Sequence, residues 1–161
     1  MILSIQLREC IIRPALQPLD LWNPDVEELL VGTCAKESNA GNYVMQEEKN
    51  GPYTAGGLGI YQEEKATHDD LWKNEITPRA ELRGKILNHC NFQLPPDAME
   101  LVTNLKYATI MCRIRYLVVP KPIPSAHDIE ALAAYWKEYY NTPKGAGTPQ
   151  EFVDAYKRYV G

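Results

Sequence analysis

The chain has 161 residues and a net charge of −4, from 17 Lys and Arg against 21 Asp and Glu. That length suits one domain, and the mildly acidic balance lacks the basic footprint of a nucleic-acid binder. Hydrophobic residues at 45% and charged residues at 24% are ordinary globular usage, which argues against a disordered tail or a fibrous repeat, and no apolar run approaches the ~20 residues of a membrane span.

Leu3 to Leu16 carries apolar residues at helical spacing with Pro14 near its end, and predicts a short first helix. A stronger start follows. Asn23 can cap, Pro24 suits the first helical position, and Asp25, Glu27 and Glu28 crowd the first turns, where the helix dipole favours anions. Val26, Leu29, Leu30, Thr33, Cys34 and Glu37 then fall on one helix face. Asn39 to Gly57 is rich in turn signals, at Gly41, Asn50-Gly51-Pro52 and Gly56-Gly57. Leu58 to Gln62 is a short extended candidate, which with Tyr43 to Gln46 predicts a small antiparallel ribbon.

Helix resumes after Glu63, with Thr67 as a candidate cap for His68 to Asn74. Thr77-Pro78 is a second cap-then-proline signal, leading a helix to about Cys90. After Pro95-Pro96, Asp97 is expected to begin the longest helix, carrying Leu101, Leu105, Ala108 and Cys112 and stopping before Pro120. Ser125 is a candidate cap for a helix striped by Ile129, Leu132, Ala133, Trp136 and Tyr140. Thr148-Pro149-Gln150-Glu151 matches a capping box and opens a last helix with Phe152, Ala155, Tyr156 and Tyr159. The sum is a mainly α domain with one small β excursion after the second helix.

Cys10, Cys34, Cys90 and Cys112 form no CxxC pair. Their even count permits disulfides, but Cys34 and Cys112 lie within helical patterns, where buried free thiols are the plainer reading. The N-terminal residues lack the basic, apolar and small-residue regions of a signal peptide, so the expected setting for synthesis is a reducing cytoplasm. No metal or cofactor is expected. His68-Asp69-Asp70 are adjacent, diverge on a helix, and have no second His four residues on. Gly56-Gly57-Leu58-Gly59 is not followed by the Gly-Lys-Ser/Thr of a phosphate loop.

Glu37 is the most informative residue. A carboxylate on a core-facing stripe is costly unless it is neutralised, paired or placed in a cleft. It also lies near a helix C-terminus, where the dipole disfavours negative charge. Both effects raise a carboxyl pKa, and an acid protonated near neutral pH suits general acid catalysis. The competing reading is a Glu that reaches solvent as the helix ends.

The chain continues Glu37-Ser38, a polar Gly-containing loop, Gly57-Leu58-Gly59-Ile60-Tyr61-Gln62, then Ala66-Thr67. This resembles the lysozyme-like lytic transglycosylase family, with its helix-ending Glu-Ser and its Gly-Leu-x-Gln-like turn before a helix-opening Thr. Three residues separate Leu58 from Gln62 here, where that pattern has one. A third family motif, Ala-Leu-Ala-x-Tyr-Asn before a Gly, is partly matched by Ala131-Leu132-Ala133-Ala134-Tyr135. Trp136 stands where the family has Asn, while Tyr140-Asn141 precedes Gly145. The stretches Leu29 to Ser38, Gly59-Ile60-Tyr61-Gln62, Ala66 to Trp72 and Tyr135 to Thr142 look closer still to small bacteriophage virion-associated proteins with this core.

The resemblance implies a single lysozyme-like domain over 1–161: a helical extension over 1–22, a core over 23–147 with a β-hairpin after the catalytic helix, and a C-terminal helix over 148–161. It implies a virion component that meets peptidoglycan at the host cell wall or periplasm. Its partners would be the glycan strand and other virion or tail proteins, with no nucleic acid or membrane. Glu37 would be the single general acid and base at the β-1,4 link after N-acetylmuramic acid, with hydrolysis and anhydro-sugar formation both open.

Ser38 would orient a sugar or the Glu37 carboxyl, or simply end the helix. Gln62 would serve an acetamido group or bond within its own turn. Tyr135 would hydrogen-bond Glu37, with Tyr140 as competitor and Asn141 beside it. Tyr61 and Tyr43 would stack on sugar rings or pack a loop on the core. The alternative to an enzyme is a virion structural protein that keeps the fold with little or no activity.

Overall fold

The computed structural model describes residues 1–45 and 56–161. The fold is mainly helical. Helix α1 spans residues 4–19, winding through a wider i→i+5 stretch at Leu7–Ile12 and tightening at Gln17–Leu19. Helix α2 is Pro24–Ser38, α3 spans residues 65–76, α4 is Ala80–Cys90, α5 is Glu100–Thr103 and α6 is Leu105–Leu117. Helix α7 spans residues 129–141, with its last turn at Lys137–Asn141 again widened, and α8 is Pro149–Val160.

The start of α2 follows the sequence signals. Asn23 Oδ1 accepts a hydrogen bond from Val26 N–H at 2.9 Å, and Pro24 occupies the first turn. The buried face is wider than one stripe, because Val31, Gly32 and Ala35 are buried along with Val26, Leu29, Leu30, Thr33 and Cys34. Helix α2 is central, packed against α1, α6, α7 and α8. At Gly32 the Phe152 ring of α8 comes so close that a Cβ would lie 2.1 Å from its Cζ. Each fully buried leucine here contributes about 1.5–3 kcal/mol relative to exposure.

The segment 1–22 is part of the core rather than an extension, because Leu7, Ile12, Ala15, Leu16 and Leu19 of α1 are buried in the common cluster. The acids at the start of α2 also clamp α1. Arg13 donates to both Glu27 oxygens at 2.8 and 2.9 Å, Trp22 Nε1 donates to Glu27 at 2.7 Å, and Arg8 donates to Glu28. Tyr156 of α8 donates to Glu28 at 2.6 Å, which closes the third side of the clamp. Such fork-shaped guanidinium–carboxylate pairs offset the cost of burying Glu27.

Several predicted boundaries move. The ribbon between Tyr43–Gln46 and Leu58–Gln62 is reduced to single bridges, Met45 to Leu58 and Leu58 to Glu63, with Gln46 outside the described residues. Among those residues no β-hairpin follows α2. Thr67 does not cap: α3 begins at Lys65, where the His68 amide reaches the Glu64 carbonyl at 3.0 Å. Thr77 continues the end of α3, and α4 starts only at Ala80.

The longest uninterrupted α-helix among the described residues is α2 with 15 residues, and Asp97 does not start a helix. Its side chain bonds the Met99 amide in a turn. Asn104, in extended conformation, then separates α5 from α6 and caps α6 by accepting from Tyr107 N–H at 3.0 Å. Asp128 rather than Ser125 caps α7, accepting from Ala131 N–H at 2.9 Å. The capping box at Thr148 and Glu151 forms in full. All four cysteines are free, with Cys34, Cys90 and Cys112 buried and Cys10 exposed. Among the described residues no helix is long and apolar enough to cross a membrane.

Candidate functional site

Helix α2 ends in a left-handed turn at Asn39 and Ala40, which redirects the chain one residue after Ser38. The Ser38 hydroxyl donates its proton to the Ile60 carbonyl at 2.7 Å, with the Cys34 carbonyl a weaker acceptor for the same proton at 3.2 Å, and it accepts from Gly41 N–H at 2.8 Å. The end of the central helix is thereby tied to the loop at 57–63. That loop is fixed by reciprocal backbone bonds between Leu58 and Glu63, at 2.9 and 3.0 Å. Gly59 turns it with φ of +71°, and a Cβ there would lie 2.1 Å from the Leu101 carbonyl. Gln62 also takes a left-handed conformation, with φ of 50°, and is held by its own Nε2 donating to the Gly59 carbonyl at 2.7 Å. A non-glycine residue in that region stores strain of about 1–3 kcal/mol.

Between this loop and the end of α7 lies a cleft of about 450 Å3, lined by Glu37, Gln62, Glu64, Thr67, Arg115, Tyr140, Asn141, Thr142, Lys144 and Gly145. Glu37 is half-buried in its wall. Its Oε1 accepts a hydrogen bond from Trp136 Nε1 at 2.9 Å, and its carbonyl accepts from the Tyr43 hydroxyl at 2.9 Å. Burial raises the Glu37 carboxyl above the ordinary range, while the Trp136 hydrogen bond and the charges of Lys36 and Arg115 pull the other way. The group is a carboxylic acid biased toward its protonated form, with a donor ready for the carboxylate that forms when the proton leaves.

Trp136→Phe, which removes that donor, is therefore expected to raise the Glu37 midpoint further. A carbon-13 titration of the side-chain carboxyl checks this, and an unchanged or lowered midpoint would contradict it.

Arg115 comes from α6. Its guanidinium lies 3.8 Å over the Tyr140 ring and donates to the Tyr140 carbonyl. The Tyr140 hydroxyl donates to the Tyr61 carbonyl at 2.7 Å, which locks α7 to the loop. Lys137 Nζ donates to Asn141 Oδ1 at 2.8 Å and to the Gly145 carbonyl at 2.7 Å. At Gly145 a Cβ would lie 2.2 Å from the Asn141 carbonyl, so the 142–147 turn needs glycine there.

Of the residues singled out from sequence, Glu37, Gln62, Tyr140 and Asn141 are brought together on the cleft. Ser38, Tyr61 and Tyr135 are not. Ser38 is 0% exposed and serves as the tie described above. Tyr61 is 1% exposed, pointing its hydroxyl at Thr109 at 3.3 Å, so its ring packs the loop on the core rather than facing a ligand. Tyr135 donates to the Lys121 carbonyl at 2.9 Å and packs against Tyr116 and Tyr139. The bond to Glu37 expected from Tyr135 or Tyr140 comes from Trp136 instead. Tyr43 is exposed beside Glu37.

Ser38→Ala leaves the Ile60 carbonyl and the Gly41 amide without their partner. It is expected to cost about 1–3 kcal/mol in chemical denaturation, and a loss below about 0.5 kcal/mol would contradict this role.

The other acids divide clearly. Glu64 lines the cleft. Asp69 pairs with Lys65 at 2.5 Å, and Asp70 accepts from Asn74 at 2.7 Å. Glu63 is 1% exposed, directly behind the loop, and both its carboxyl oxygens lack a hydrogen-bond partner among the described residues. His68 belongs to a buried network. Trp72 Nε1 donates to the Tyr107 hydroxyl at 2.6 Å, so the single Tyr107 proton goes to His68 Nε2, also at 2.6 Å. His68 is then the neutral tautomer, donating from Nδ1 to Asp69 at 2.9 Å, and burial lowers its pKa. This network fastens α3 to α6 behind the cleft. Among the described residues no group of three or more His, Cys, Asp or Glu gathers as a metal ion would need.

Comparison with protein-family models, with curated proteins and with solved structures found no match.

Proposed function

We propose that this chain is a lysozyme-like, virion-associated glycosidase that cleaves the β-1,4 link after N-acetylmuramic acid in peptidoglycan, with Glu37 as its single general acid and base. The observation that carries the reading is Glu37 itself: a half-buried carboxyl at the end of the central helix, open to a polar cleft and held by an indole N–H. The cleft offers amide and hydroxyl groups from Gln62, Thr67 and Asn141, which suit acetamido and hydroxyl groups of a sugar chain.

In this mechanism Glu37 gives its proton to the glycosidic oxygen as the C1–O bond breaks and positive charge develops on the muramoyl ring. The Glu37 carboxylate, stabilised by Trp136 and Arg115, then takes a proton from the nucleophile that bonds to C1. With the C6 hydroxyl the product is the anhydro sugar; with water it is the reducing sugar. One acid serves both steps.

The test is loss of turbidity in permeabilised bacteria on adding the purified protein. Clearing by wild type and not by Glu37→Gln supports the reading, and equal clearing by both removes Glu37 from its role. A second reading, a virion structural protein that keeps this helical core without turnover, draws on Trp136, which occupies the third-motif position where the transglycosylases have Asn. Failure of wild type to clear, together with defined binding to another virion protein, would favour it.

A further inference from the structure

Glu63 stands apart from the other acids among the described residues. It is 1% exposed, neither carboxyl oxygen has a partner among the described residues, and it sits between Gln62 and Glu64, both of which line the cleft. An orphaned carboxyl in a packed core is destabilising unless something engages it in one of its charge states. The titratable groups facing it are Tyr107, Cys112 and Arg115 from α6 and Tyr140 from α7. Burial holds the two tyrosines and the cysteine above their ordinary ranges, so they are neutral at pH 7. Arg115 is the one charged group among them.

Arg115 is also a wall residue of the cleft and one of the charges acting on Glu37. Its described hydrogen bond uses one Nη2 donor, to the Tyr140 carbonyl, out of the five N–H groups a guanidinium carries. We propose that Glu63 is a positioning residue for Arg115: ionised, it draws the guanidinium inward as its partner, and neutral, it leaves Arg115 on the cleft wall beside Glu37.

Burial pushes the Glu63 carboxyl up to about 7, against the pull of Arg115, so the exchange falls near neutral pH. Below that point Arg115 helps to hold the charge that Glu37 acquires when it gives up its proton. Above it, that help is withdrawn. The bearing on catalysis rests on the reading of Glu37 as the acid, whereas the exchange itself does not.

The test follows the Arg115 Nε–Hε resonance in nitrogen-15 arginine-labelled full-length protein between pH 5 and 9, assigned by its absence in Arg115→Lys. Because Arg115 also acts on Glu37, the Glu63 variants are compared in the Glu37→Gln background, which should show one transition with a midpoint near 7. The transition should vanish on adding Glu63→Gln or Glu63→Met, the second variant guarding against a fold defect peculiar to a buried amide. A flat resonance in the Glu37→Gln background, or a transition that survives both Glu63 variants, overturns the proposal. The readout needs no turnover, so a transition in this background combined with a wild type that never clears bacteria would retain this inference and lose the enzymatic one.

Discussion

Glu37→Gln is expected to lower peptidoglycan cleavage about a thousandfold, the middle of the range for loss of a positioned general acid. The substitution is nearly isosteric and keeps an oxygen for the Trp136 N–H, which now reaches Glu37 at 2.9 Å. The fold should therefore persist, and far-ultraviolet circular dichroism together with thermal unfolding should match wild type. The wild-type rate should fall as pH rises through the raised Glu37 pKa, because the proton-bearing form is then lost. Initial rates of soluble-fragment release across pH 4 to 9 check both points. An alkaline limb that survives Glu37→Gln, or a loss of less than about tenfold, would be incompatible with general acid catalysis by this residue.

The second large effect concerns stability. Glu63 has an ordinary value near 4.5 in the unfolded chain and about 7 in the fold, raised by burial. Below pH 4.5 it is protonated in both states and costs nothing through linkage. Between those values the unfolded chain releases the proton while the folded chain keeps it, so stability falls as pH rises. Above about 7 both states are ionised and the loss is complete. A shift of this size is on the order of 3 kcal/mol.

His68 acts in the opposite direction. Its lowered pKa means that the unfolded chain binds the proton first on acidification, so its contribution is lost as pH falls. Comparing wild type with Glu63→Gln at each pH removes His68 from the difference. The variant should gain on wild type progressively between pH 4.5 and 7 and hold that gain above. A difference independent of pH would mean that folding does not raise the Glu63 pKa.

The frame of the site was legible where the signals are local. Asn23, Pro24 and the acids of the first turn located the start of α2, and the position of Glu37 at the end of its stripe located the acid. The capping box at Thr148 is equally local. Periodicity misled at Asp97, because Leu101, Leu105 and Ala108 keep helical spacing across the break at Asn104, where a side-chain cap restarts the helix. Thr67 and Thr77 carry the right chemistry for caps, but Thr67 lies inside α3 and Thr77 closes its C-terminal end.

The partners of Glu37 were beyond local reach. Trp136 lies 99 residues away in the chain, and its place on an apolar stripe reads as core packing. Only its place where the transglycosylase motif that the sequence resembles has Asn marked it. Arg115 left no such mark, since Lys106 and Arg113 share α6 with it, and Glu63 left only a faint one, as an acid directly after the largely buried turn Leu58 to Gln62. Ser38 and Tyr61 were noticed for groups a sugar could use. Burial, which depends on everything packed around them, assigns their hydroxyls to the protein's own loop and core.

The role of Glu37 is decided by incubating purified peptidoglycan sacculi with wild type and with Glu37→Gln, then identifying the soluble products by mass spectrometry. Catalysis by Glu37 requires that wild type alone release disaccharide-containing muropeptides ending at muramic acid, with an anhydro or a reducing terminus that names the nucleophile. Release of the same fragments by both proteins, or of none by either at any pH between 4 and 9, would contradict it.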